Sequence, residues 1–434
     1  MSEYVSIKTR ELDIWTFRNY VEIRIAELFF NQSDLTITPN VRYEIDDEDE
    51  IPHTQYEFIT TVKKAKERFD ALGYSLNNFE LEFDKNKFKW IAYDEFLSHL
   101  NIALDDYDEV KIKRINKYIT FEKWKNSIKK FVEYGLEHNI YRPDKNKIKI
   151  NTEGDKVIYY SFNENNFFGM NWEDEEAIKY TLRLILEFCS EYDEIILDVS
   201  ALIGWSYNSI NEIELGGSIE KNIVLVEGSS DKSIIEFGLN YIYPHLSNLF
   251  YFMDFDLGNK TREGSCEILS KNIITFIASK LKAKFIAVYD NDTAGVFAKE
   301  KILDDIRSIP NNFRILNYPN INRARNYPTI GTNKKIIFDN VNNRACSIEM
   351  YLPKKLIVDN NGDYLPIQWA SLMTRKLKHN TLSDYQGVII DKDKIKSKYV
   401  ELSNQIKNNV ELFDIDEWNE LKQIVDVIVF AFKK

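Results

Sequence analysis

With 434 residues and 51.2 kDa, 44% apolar side chains, 27 Phe and 25 Tyr against 15 Gly, the chain has the material for two or three cores. That composition excludes a disordered tract or a flexible linker protein. A net charge of −12 excludes a uniformly basic nucleic-acid binder. The three cysteines, Cys189, Cys266 and Cys346, are scattered and form neither C-x-x-C nor a disulfide framework. No apolar run approaches the ~18 residues of a membrane span. The polar, charged residues 1–10 give no secretory pattern. The expectation is a soluble, cytoplasmic protein with reduced thiols and no membrane partner.

Residues 1–217 are expected to form a mixed α+β region with a regulatory or assembly role. It includes an acidic stretch at 44–50, closed by Pro52. Phe121, Trp124, Ile128 and Phe131 recur at helical spacing, predicting an amphipathic helix over 120–138. A further helix over 174–192 is entered through acids that suit its N-terminal dipole. Gly216-Gly217 marks a break.

From Lys221 the rhythm becomes strand, helix, strand. Ile223-Val224-Leu225-Val226 is a short continuous apolar run, as expected of a strand covered on both faces. Gly228-Ser229-Ser230-Asp231 supplies a turn and an N-cap for a helix over 232–240. Strands follow at 249–255, 285–289 and 313–316, with helices at 265–280 and 293–306. Alternating elements with short connections predict an α/β fold: a mostly parallel sheet of about four strands flanked by helices, occupying 218–353. Residues 354–434 are expected to be a mostly helical region, with helices over 367–378, 391–407 and 415–432.

Charge is unevenly distributed. Residues 255–345 hold 15 Lys and Arg against 9 Asp and Glu, so this stretch carries +6 and the remainder −18. A basic segment in an acidic protein suits phosphates, or it is simply a solvated helix face.

Two of the predicted strands end in acids. The first runs into Glu227-Gly228, the third into Asp290-Asn291-Asp292. In an open parallel sheet, chemistry gathers at the carboxyl ends of strands. Asp290 and Asp292 alternate on extended backbone, so both can face one cavity while Asn291 faces away. Gathered carboxylates repel one another, and a hard cation such as Mg²⁺ or Mn²⁺ relieves that repulsion. Such an ion polarises a phosphodiester and activates water. Each element has a plain structural alternative: a Glu-Gly turn is common, and Asp292 can cap the helix that begins at Thr293.

Val226-Glu227-Gly228-Ser229-Ser230-Asp231 and Asp290-Asn291-Asp292-Thr293-Ala294-Gly295 resemble the two acidic motifs of the Toprim fold, shared by topoisomerases, bacterial primases, recombination proteins and overcoming-lysogenization-defect nucleases. Several other segments are similar to the bacterial proteins called HEPN/Toprim-associated. They are Tyr251-Phe252-Met253-Asp254-Phe255, Asn326-Tyr327-Pro328-Thr329, Ser347-Ile348-Glu349-Met350-Tyr351-Leu352, Ile367-Gln368-Trp369 and Tyr385-Gln386-Gly387. The likeness spans roughly 182–399. It implies a Rossmann-like Toprim core in which Glu227 acts as acid, base or ligand and Asp290 and Asp292 bind Mg²⁺. It also implies a role in defence against phage or foreign DNA. A later acid joins the cluster in related nucleases, which makes Glu349 a candidate metal ligand; as a residue opening a helix it would also suit the dipole. Asp231 and Asp256 read as cap or turn residues. Lys392 and Lys394 are candidates for the lysine that stabilises charge on phosphate, against a solvated-helix reading.

HEPN ribonuclease activity is not expected. Arg375 and His379 are separated by three residues where that site needs four to six, and Lys376 and Lys378 suggest an exposed basic helix instead. No P-loop, zinc-ligand spacing or serine elbow occurs, so any ATPase would be a partner. The Asp-x-Asp motif lies on the wrong strand for a haloacid-dehalogenase phosphatase and has Ala294 where Thr or Val is required. Neither strand-passage domains nor a zinc module accompany the core, which argues against topoisomerase and primase action. The expected activity is a Mg²⁺-dependent nuclease, on DNA more than RNA, with activation by a partner protein and homo-oligomer formation as further expectations. The competing reading is a non-catalytic scaffold that binds nucleic acid or a protein.

Overall fold

The computed structural model describes residues 3–41, 53–98, 100, 107–138, 144, 146–161, 167–171, 173–253, 265–331 and 334–433. The acidic stretch 44–50 and Asp256 lie outside these residues. The chain divides into two compact units, Met1–Ile219 with Lys433–Lys434, and Glu220–Phe432. Among the described residues no helix is long and apolar enough to cross a membrane.

The first unit is built on a five-stranded antiparallel sheet in the order β2-β1-β5-β4-β3. Its strands are β1 (Tyr4–Thr9), β2 (Leu12–Arg18), β3 (Leu35–Val41), β4 (His53–Thr61) and β5 (Glu194–Asp198). Between β2 and β3 lies α1 (Ile23–Phe29). Between β4 and β5 lie α2 (Val62–Ala71), α3 (Leu76–Trp90), α4 (Tyr93–Ser98), α5 (Tyr107–Tyr118), α6 (Phe121–Glu137), α7 (Glu153–Tyr160) and α8 (Glu175–Glu187). The α6 stripe of Phe121, Trp124, Ile128 and Phe131 is buried as its spacing requires, and Thr120 caps the helix. Asp174 caps α8 by accepting from Ala177 N at 3.0 Å, with Glu175 and Glu176 in the first turn.

In the second unit a four-stranded parallel sheet runs β10-β8-β6-β7. It comprises β6 (Asn222–Leu225), β7 (Phe250–Phe252), β8 (Phe285–Tyr289) and β10 (Phe313–Asn317), connected through α9 (Ser229–Ile242), α10 (Cys266–Ala278) and α11 (Thr293–Asp305). This is the α/β arrangement the alternating pattern predicts. Every residue of β8 is buried. Phe285 stacks between Phe276 at 5.1 Å and Phe313 at 4.7 Å, while Leu269 and Ile273 of α10 and Ala298 and Ile302 of α11 close the same core. A two-residue strand, β9 (Asn291–Asp292), leaves the end of β8 and pairs with β13 (Ala345–Cys346).

The remainder of this unit corrects the expectation of a mostly helical C-terminal region. Residues 367–376, read as a helix, form strand β14 (Ile367–Lys376), hairpinned to β15 (Thr381–Ile389). With β11 (Tyr327–Ile330) and β12 (Ile336–Asp339) they make a second sheet, β12-β11-β14-β15. Ala370, Leu372, Met373, Arg375 and Lys376 favour helix locally, and a register shift between Trp369 and Leu372 breaks the period-two alternation. Pairing to β11 and β15 outweighs that weak local preference. The exposed basic helix expected around Lys376 and Lys378 is therefore absent: Lys376 ends β14 and Lys378 N, in the hairpin turn, donates to Asp304 Oδ2 of α11 at 2.8 Å. Helices do follow, as α12 (Lys392–Asn408) and α13 (Asn419–Val429); α13 packs on α9, with Trp418 fully buried beside Phe237 at 5.1 Å.

Candidate functional site

The carboxyl ends of β6 and β8 are neighbours because these strands pair directly, Leu225 opposite Ala287. Glu227 follows β6 and Asp290 follows β8, and their connection is direct: Asp290 N donates to Glu227 Oε1 at 3.0 Å. Asp292 caps α11, its Oδ1 accepting from Gly295 N at 2.8 Å, so the structural alternative for this residue is realised. Its other oxygen is not idle. Gln386 of β15 donates from Nε2 to Asp292 Oδ2 at 2.6 Å and accepts at Oε1 from Ala294 N at 3.0 Å. Asn291 faces the opposite way, held by Asn320 Oδ1 at 2.9 Å and by Asn343 N at 3.1 Å.

Gly295 permits this closeness. A Cβ at that position would stand 2.4 Å from Asp290 O and 3.1 Å from Glu227 Oε1. The first turn of α11 thus lies directly against the acids.

Asp231 belongs to the same group, although its sequence context suggested only a cap. It occupies the third position of α9, where its carboxylate accepts from the Gly228 backbone N–H, and its side chain is buried facing Glu349 and Asp290. Both roles coexist. Glu349 sits in a single 3₁₀ turn (Ile348–Tyr351) rather than at the start of an α-helix, and is fully buried. Ser347 Oγ donates to its Oε2 at 2.7 Å, Lys392 Nζ lies 3.2 Å from Oε2, and Lys396 Nζ lies 3.7 Å from Oε1.

Electrostatics follow from this crowding. Burial, reinforced by Asp292 and Asp231, pushes Glu227 up to about 8 despite the hydrogen bond from Asp290 N. Burial and Glu349 raise Asp231 to about 6. Asp290 is driven well above the ordinary carboxylate range by burial and then by Asp231, Glu227 and Asp292. Asp292 is raised by burial, against the hydrogen bonds from Gly295 and Gln386. Burial alone would depress the Lys392 ammonium, but Glu349 and Asp290 more than offset it and hold its pKa above the usual value. Lys392 therefore points at the acids, which corrects the solvated-helix reading. Lys394 is exposed on the same helix.

Lys392 carried a signal that the sequence reading did not use. It occupies the first position of α12, where a cation opposes the helix dipole. A local rule broken in this way points to a partner elsewhere, here Glu349. Lys396, one turn later, shares that face. Tyr318, fully enclosed and raised far above the normal phenol range by burial and by Asp231 and Asp290, had no such signal.

The donors present suit a hard divalent cation. All are oxygens, they repel one another in a desolvated setting, and Asp290 Oδ1 is buried without a hydrogen-bond partner. The set is apposed but not closed: among the described residues no group of three or more His, Cys, Asp or Glu side chains is arranged to hold an ion. Glu227 Oε1 and both Asp292 oxygens are engaged in hydrogen bonds within the unit.

Part of the basic excess at 255–345 is engaged within the unit. Arg314 donates to Ala431 O at 3.0 Å, Arg323 to Leu352 O at 2.8 Å, and Arg344 pairs with Asp339 at 3.0 Å and Asp384 at 3.2 Å.

Residues 1–218 match the family model described as HEPN/Toprim N-terminal domain 1. No curated protein and no solved structure matches the chain.

Proposed function

Because the chain belongs to the HEPN/Toprim-associated proteins, we propose that its second unit is a Mg²⁺- or Mn²⁺-dependent nuclease hydrolysing phosphodiester bonds, in DNA more than in RNA. The observation carrying this reading is the group formed by Glu227, Asp290 and Asp292, which follow two adjacent parallel strands, together with Asp231 in the first turn of α9. Structural carboxylates are normally paired with cations or exposed; four held together while desolvated incur a cost that a fold alone has no reason to bear.

Asp290, Asp292 and Glu227 would hold the cation, which when bound supplies polarisation of the phosphodiester and an activated water. Before a cation binds, Glu227 holds its proton up to about 8, so taking up the ion at this carboxylate would release that proton. Lys392 presents a positive charge beside the acids, where it can stabilise charge developing on a phosphate. Glu349 positions Lys392 in this scheme, and would serve a second cation only by exchanging its two lysines for it. Defence against phage or foreign DNA is the biological setting we infer from the family.

A second reading has its own support. The open donor set and the two engaged oxygens of Asp292 also suit a non-catalytic scaffold for nucleic acid or a partner protein. Incubating the purified chain with single- and double-stranded DNA and RNA under Mg²⁺ or Mn²⁺ separates the two. Cleavage abolished by Asp290→Ala supports the nuclease. If no metal yields cleavage and Asp290→Ala leaves the biological effect intact, the scaffold reading stands. Cleavage only after adding a cellular partner identifies a nuclease held silent.

A further inference from the structure

β12 is an edge strand whose only neighbour among the described residues is β11. Gly331 N donates to Lys335 O at 2.9 Å, and Ile337 stands opposite Thr329 two residues on, so the backbone groups of residues 335, 337 and 339 face β11. The pleat turns those of Ile336 and Phe338 outward. Among the described residues nothing pairs with that outer side. The side chains are also unusual for an open edge: Ile336 is 52% exposed, Ile337 49% and Phe338 63%. Soluble proteins protect bare edges with charges, proline or cover, and here three large apolar residues in succession are left in water.

We propose that this edge pairs antiparallel with the same strand of a second copy of the chain, about a two-fold axis at Ile337. The sequence of the strand selects this occupant and this register. Only registers that set outward-facing residues opposite outward-facing residues can form hydrogen bonds, which leaves steps of two. Centring on Ile337 places Ile336 opposite Phe338 twice, as hydrogen-bonded pairs. It places Ile337 opposite its own copy, and Lys335 opposite Asp339 at both ends. Apolar residues meet apolar ones and Lys335 lies opposite Asp339, whose carboxylate is shared with Arg344 of its own chain at 3.0 Å, so Lys335-Ile336-Ile337-Phe338-Asp339 is complementary to itself. A shift of two residues in either direction loses both charge pairs. The result joins two four-stranded sheets into one of eight strands. One short strand pair buries less than the roughly 1,200 Å² of a stable interface, so the dissociation constant is on the order of 10 µM rather than nanomolar.

Cross-linking tests both the partner and the register in the full chain. In a non-hydrogen-bonded antiparallel pair the Cα atoms stand about 4.5 Å apart, within disulfide reach. At about 50 µM under mild oxidation, Ile337→Cys is expected to give covalent dimer at least about tenfold above wild type and above Ile336→Cys, whose thiol would face Phe338. Adding Phe338→Glu to Ile337→Cys should cut the cross-link about fivefold or more. Wild-type chain carries Cys189 and Cys346 buried and Cys266 partly exposed, and sets the background. Equal cross-linking of the two cysteine variants, or none above wild type, overturns the proposal.

Discussion

Lys392 Nζ stands 3.2 Å from Glu349 Oε2, joining the first turn of α12 to a fully buried carboxylate beside the strand-end acids. Removing the lysine leaves Glu349 with Lys396 alone. Lys392→Ala is expected to destabilise the fold by about 1–3 kcal/mol, below the figure for a wholly enclosed pair because the lysine is partly exposed. Glu349→Gln added to it should cost less than the sum of the two single changes. Urea unfolding of the four proteins in the cycle measures this, and strict additivity would refute the coupling. If the chain cleaves nucleic acid, Lys392→Ala should also lower turnover by about 10²–10³-fold.

The acids make stability depend on pH in an unusual direction. Ordinary Asp and Glu release their protons near 4 when unfolded, whereas Glu227 retains its own up to about 8 and Asp231 up to about 6. Between these limits the folded state binds more protons than the unfolded state, so stability falls as pH rises from about 4 to 8. Thermal melts across this range, without added cation, should show the decline, and Glu227→Gln should flatten its upper part. Millimolar Mn²⁺ should raise the melting temperature more at pH 8 than at pH 5. A cation effect independent of pH would count against metal binding at these acids.

Gly295 offers a steric test. Alanine there would press on Asp290 O, a backbone atom that cannot swing aside, so Gly295→Ala should destabilise by about 1–3 kcal/mol. Gly217, with nothing within 4 Å of an added Cβ, is the control, and Gly217→Ala should change stability by about 0.5 kcal/mol or less. Chemical denaturation of both variants is sufficient; a tolerant Gly295 would mean that α11 stands off from the strand end.

Gln386 is the hairpin's contribution to the acids, bridging Asp292 and the α11 backbone. Gln386→Leu removes both hydrogen bonds while keeping the approximate volume. Its stability cost is about 1–2 kcal/mol, and Mn²⁺ affinity by calorimetry should fall about tenfold or more. Unchanged affinity would detach Gln386 from any metal role.

Legibility in the sequence tracked how local the determinants were. β8 and its apolar run coincide residue for residue, and α11 begins at its expected cap, since continuous burial and capping are written in adjacent residues. Glu227, Asp290 and Asp292 could be grouped because successive strand ends of one parallel sheet must be near each other. The β14–β15 hairpin was misread because its identity depends on β11, some 40 residues earlier, and its own residues lean to helix. Asp231 and Lys392 were underrated for a related reason. A residue that satisfies a local rule can still serve the site, and one that violates a local rule needs a distant partner to explain it. The place of β5 between β1 and β4 was likewise invisible, about 130 residues separating it from β4.

The β6–β8 pairing also sets an order of events on the ribosome. Glu227, Asp231, Asp290 and Asp292 can gather as soon as β8 and the start of α11 have emerged, while Lys392 follows a hundred residues later. At about 5–20 residues per second, the nascent chain carries its acids without their ammonium partner for roughly 5–20 s. If the acids take up a cation as proposed, magnesium in the surrounding translation milieu is a counter-charge available to them during that interval. A released fragment ending at Asn317 should resist protease better as Mg²⁺ is raised, and one ending just past Asn408 should be much less sensitive to it.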